Sequence, residues 1–79
     1  MDNTEHELTY GEKAISLSFN PSQNNNVKEI KKHFAALIDH LNDMRENTDN
    51  GEVKRMCAVS ITELQTAQMW AVKAATWQY

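Results

Sequence analysis

The sequence predicts an all-α protein, a short N-terminal helix plus an antiparallel two-helix hairpin, assembled as a compact homo-oligomer. Three observations carry this. Apolar residues recur at heptad spacing from 27 to 44, with Val27, Phe34 and Leu41 at one position, Ile30, Leu37 and Met44 at the other, and Ile38 between them. Residues 53–77 contain neither Gly nor Pro and are rich in Ala, the strongest helix former. Between these stretches stand only polar residues and one glycine, with Asn47, Thr48, Asp49, Asn50 and Gly51 as the stop, a reversal that makes the two long helices antiparallel neighbours. No segment alternates in the manner of a strand.

Each element has its own local signals. Residues 1–8 are mostly polar and are expected to be a flexible arm, leaving residues 9–79 as a single helical-hairpin domain. Thr9 and Glu12 have capping-box spacing and open a short helix through Lys13, Ala14, Ile15 and Leu17. The turn chemistry of Phe19, Asn20, Pro21 and Ser22 ends it, because Pro21 disfavours a helical Asn20. Asn26 with Glu29 predicts the next cap, and a helix from Val27 to about Asn47 is about 30 Å long. Asp49 with Glu52 offers a cap for the second long helix. On that helix Val53, Cys57, Ser60, Leu64, Ala67, Ala71 and Ala74 form a narrow seam of mostly small side chains. Val59, Thr66, Trp70 and Trp77 lie to one side of it, Ile61 and Val72 to the other. That apolar circumference exceeds what one partner helix covers, so further copies of the chain are expected to cover the rest.

Composition bounds the function. A chain of 79 residues buries only about 60% of its unfolded surface, and one cysteine with no metal-ligand cluster leaves self-association as the route to added stability. Cys57 is expected to be a buried reduced thiol, which suits a cytoplasmic protein. No secretory leader or membrane span is expected, and a net charge of −3 opposes general binding of DNA or RNA polymers. There is no Gly-rich phosphate loop, nucleophile elbow or His-Glu-x-x-His, so no enzyme, catalytic residue or cofactor is expected. His33 and His40 share a helix face seven residues apart, too far to hold one metal ion together.

Lys28, Lys31 and Lys32 cluster on the outer side of the first long helix, near its start and just after the loop aromatic Phe19. Amide donors at a helix start, ammonium groups and an aromatic ring are what a phosphate-bearing nucleotide requires. The alternative is a solvated face balanced by Asp39 and Asp43. Lys54 and Arg55 admit the same two readings.

The segment from Ile61 to Ala71, with Leu64-Gln65 and Met69-Trp70-Ala71, followed by Val72-Lys73-Ala74 and preceded by Arg55, resembles the helical-hairpin domain of phage anti-CBASS and anti-Thoeris sponges. The resemblance covers roughly residues 17–77. It implies an all-helical homohexamer in the host cell cytoplasm that evades host defence by sequestering cyclic di- and trinucleotides without cleaving them, so that CBASS effectors are not activated. Carried over by position, it assigns base stacking to Phe19, where the family often has Tyr; Asn20 and Ser22 of the same loop are expected to contact the ligand as well. It assigns phosphate contact to Lys28 or its rival Lys32, and a separate trinucleotide pocket to Arg55. A small structural or adaptor oligomer with no nucleotide ligand is the alternative.

Overall fold

The computed structural model describes residues 7–20 and 23–79. Most of the expected arm, residues 1–6, and the turn residues Pro21 and Ser22 lie outside the described residues; Leu8 is already half-buried. Among the described residues there are three helices and no strand: α1 (Tyr10–Ala14), α2 (Asn25–Glu46) and α3 (Gly51–Ala75).

Thr9 caps α1 with the full capping box: its hydroxyl accepts from Glu12 N, and the Glu12 carboxylate accepts from Thr9 N. The helix stops at Ala14, before the expected break near Ser18. Ser16 sits in the left-handed region at φ 53°, and Leu17 N–H reaches back to the Glu12 carbonyl while Ser16 N–H takes that of Lys13. These two bonds close the helix end as a Schellman turn, with Ser at the position usually held by Gly.

The cap of α2 is Asn24, two residues ahead of the expected Asn26. Its side chain accepts from Val27 N, and the Asn20 amide clasps its backbone, donating to the Asn24 carbonyl and accepting from Asn24 N–H. Asn26 and Glu29 therefore fall inside the helix and form no box. For α3 the cap is Asn50 rather than Asp49, accepting from both Glu52 N and Val53 N, while Glu52 pairs forward with Arg55.

The closest approach of α1 to α2 is at Gly11. Gly11 lies so close to α2 that a Cβ there would stand 2.2 Å from the Ala35 carbonyl oxygen, and its N–H donates to the Asp39 carboxylate at 2.7 Å. Tyr10 faces Arg45 and Phe19 faces Lys31, so α1 and the loop after it run back along α2 towards its start. Ile15, Ala35, Ile38 and Ile61 form the core, with Phe34, Leu41 and Leu64 packed around it.

This docking keeps one of the predicted stripes of α2 inward and turns part of the other out. On α2, the expected Val27 and Ile38 are buried and Phe34 and Leu41 pack against the core, but Lys31 and Ala35 are buried as well, whereas Leu37 and Met44 are exposed. On α3 the buried residues are Cys57, Ile61 and Gln68, so Ile61 belongs to the core and the small residues Ala67 and Ala74 face outwards. The larger stripe is chosen because α1 and its loop must be covered as well as α2. Gln65 supplies a tie across that contact, donating to the Ala14 carbonyl at 2.8 Å. The molecule spans 44 × 41 × 12 Å, a slab about one helix thick.

Candidate functional site

The start of α2 gathers backbone donors and positive charge. Asn24 satisfies Val27 N–H, but the N–H groups of Asn25 and Asn26 have no acceptor among the described residues, and the first turn carries no acidic side chain. These free donors and the helix dipole leave a positive end. Lys28 and Lys32, one turn apart, extend from the same side and are exposed. Together with Glu12, Leu17, Ser18, Asn20, Gln23 and Asn25 they line an open cradle of about 520 Å³. Two ammonium groups and several amides thus face one carboxylate, and Glu12 is already held by Thr9 N–H at 2.9 Å.

Lys28, Lys32 and Asn20 are accordingly brought together, although the Asn20 amide is committed to the Asn24 backbone and shapes the loop. Ser22 lies outside the described residues. Gln23, Ser18 and Asn25 belong to the cradle and escaped the sequence reading, because loop amides carry no spacing signal.

Lys31 is not on the outer face. It is 3% exposed, and its ammonium donates to the Ser16 and Phe19 carbonyls and lies 5.3 Å from the Phe19 ring centre. Burial lowers its pKa from the ordinary lysine value. Asp39, expected to balance these lysines, is instead the acceptor for Gly11 N–H. Lys31 therefore staples the loop onto α2 and is removed from the solvated cluster.

Phe19 does not border the cradle. Its ring is 68% exposed and lines a second hollow of about 380 Å³ with Ile15, Lys31, Gln65, Gln68 and Met69. The two hollows share the loop between Ile15 and Asn20.

Arg55 is elsewhere. Its guanidinium takes Glu52 in a two-pronged ion pair, 2.6 and 3.1 Å, which lowers the Glu52 pKa and raises that of Arg55. It borders a shallow hollow with Ala58, Val59, Thr62 and Glu63. Lys54 donates to the Arg45 carbonyl, so this turn of α3 stands at the far end of α2, about 25 Å from Lys28 at 1.5 Å per residue. Within one chain the two basic sites cannot share a small ligand.

Both His33 and His40 are exposed, and among the described residues no three His, Cys, Asp or Glu side chains converge. Cys57 is a buried free thiol, and no described helix is long and apolar enough to cross a membrane.

No curated protein and no solved structure matches the chain. A family model does: the one described as Acb2/Tad1, hairpin domain, matches residues 12–76, from the capping glutamate of α1 to the C-cap of α3. With both long helices and the cradle falling inside that match, the chain belongs to the Acb2/Tad1 hairpin-domain family.

Proposed function

We propose that this protein is an anti-defence sponge that binds cyclic di- and trinucleotide immune signals and holds them without cleavage, so that host CBASS effectors are starved of their messenger. The observation that carries the reading is the cradle at the start of α2, where Lys28, Lys32 and the first-turn N–H groups of the helix meet, in a chain of the Acb2/Tad1 hairpin family. Phosphodiesters are the anions that such a site suits, since the donors are fixed and the charge is already concentrated.

The working unit in this proposal is a homo-oligomer, a hexamer by family analogy, in the host cell cytoplasm. Met69, Trp70 and Trp77 are 62%, 67% and 60% exposed on a slab about one helix thick, an apolar load that a lone chain leaves in water. In the proposed oligomer a second copy brings another set of basic residues towards Arg55, which pairs with Glu52 in its own chain. Phe19, in the hollow next to the cradle, covers a base.

Calorimetric titration with a panel of cyclic di- and trinucleotides tests the reading. Losing a base stack costs about 1–3 kcal/mol, so Phe19→Ala should weaken binding by about tenfold to a hundredfold. Lys28→Ala should weaken dinucleotides, and Arg55→Ala should weaken trinucleotides selectively. Mass spectrometry after denaturation should return the intact ring. Linear product would make the protein an enzyme, and no binding across the panel would leave an adaptor oligomer as the better account.

A further inference from the structure

Gln68 occupies a core position with a polar side chain. It continues the stripe of Cys57, Ile61 and Leu64 on α3, is 7% exposed, and its amide has no hydrogen-bond partner among the described residues. A buried amide left unpaired is destabilising, and Met or Leu would fill the same place without that cost.

The side chain lines the hollow that Phe19 borders, whose remaining wall includes Ile15, Met69 and Val72. Two other polar side chains there are engaged: Lys31 donates to the Ser16 and Phe19 carbonyls, and Gln65 Nε2 donates to the Ala14 carbonyl. The hollow therefore offers no free cation to a phosphate. What it offers is an aromatic face at Phe19 and the Gln68 amide, with a donor and an acceptor side by side.

We propose that Gln68 reads the hydrogen-bonding edge of one base of the bound ring while Phe19 covers the face of that base. The inference rests on the sponge reading above and deepens it. A side-chain amide complements any edge that presents an acceptor beside a donor, as adenine does at N7 and N6. An apolar group seated here would leave the amide unpaired, and a phosphate would meet only its two N–H donors. The base is thus held at Gln68 and Phe19, and the phosphates are held across the shared loop at Lys28 and Lys32.

The test uses the full chain with Gln68→Met, which keeps the length of the side chain, and Gln68→Glu, which keeps its shape but loses both donors. Cyclic di-AMP, cyclic di-GMP and a mixed adenine-guanine ring are titrated against each. Gln68→Met should keep the oligomer, melt at or above the wild-type temperature without ligand, bind the tightest ring about tenfold or more weakly, and narrow the spread among the three. Gln68→Glu should bind that ring weakly as well. Equal affinities for wild type and Gln68→Met would overturn the inference. So would loss of the oligomer or a lower melting temperature in Gln68→Met without ligand, which would assign the amide to a second copy of the chain. If wild type binds none of the rings, it is the sponge reading that fails, and this inference with it.

Discussion

At the scale of single residues, two positions hold the molecule in its observed shape. Gly11 is where α1 meets α2, and even one added carbon would strike the Ala35 carbonyl, a backbone atom that cannot swing aside. Gly11→Ala must push α1 outwards and break the Asp39 bond, so we expect a loss of about 3 kcal/mol, read as a lower urea midpoint. Lys31 is the second. Its lowered pKa means that, between that value and the ordinary one, the unfolded chain binds more of the proton than the folded chain. On its account stability rises with pH through this alkaline window, and at lower pH, with both states charged, the cost of burying the charge is fully present. The stability of wild type minus that of Lys31→Met should therefore grow as pH rises through the window. A difference that shrinks would contradict a desolvated ammonium.

At the scale of elements, the α2 start depends on a loop rather than on the helix. Asn20 fixes Asn24 through both its backbone donor and its carbonyl, and Asn24 in turn caps α2. Asn24→Ala removes the cap and costs about 1 kcal/mol, and because Lys28 rides on the same turn it should also loosen the cradle. Hydrogen exchange over the first turn of α2 should quicken, while the α2–α3 core stays protected. The hairpin turn obeys the same local logic: Asn50 takes two amides at the α3 start, and Asn47 N–H closes α2 on Asp43 and Met44. Such caps lie within three or four residues of what they satisfy. They were legible in the sequence to within one or two positions, and the misses at Asn26 and Asp49 reflect neighbouring residues of equal capping power.

At the scale of the whole molecule, thickness decides what remains exposed. A slab 12 Å deep gives each helix mainly in-plane neighbours, so the Trp70 side of α3 is left exposed among the described residues. In the oligomer proposed here that face packs against another copy, and Ala71→Arg would place a charge between close helices. Light scattering should show the assembly weakened or dissociated in Ala71→Arg. A wild-type chain that runs as a folded 9.1 kDa monomer would sink both the assembly and any pocket shared between subunits.

The sequence by itself determined which segments are helical, roughly where they turn, and that Lys28 and Lys32 share a face, because periodicity, caps and i,i+4 spacing act within a few residues. It did not determine which arc of each helix is buried. On α3 the apolar residues cover more circumference than one partner can take, so periodicity alone admits several rotations. The docking of α1 through Gly11 and the loop held by Lys31 select the rotation that buries Ile61 and Gln68 and leaves Ala67 in water. That choice belongs to contacts between residues far apart in the chain, as when Gly11 meets Asp39 or Gln65 meets Ala14. For the same reason only the tertiary structure parted Phe19 from Lys28 and Lys32 and set it beside Gln68.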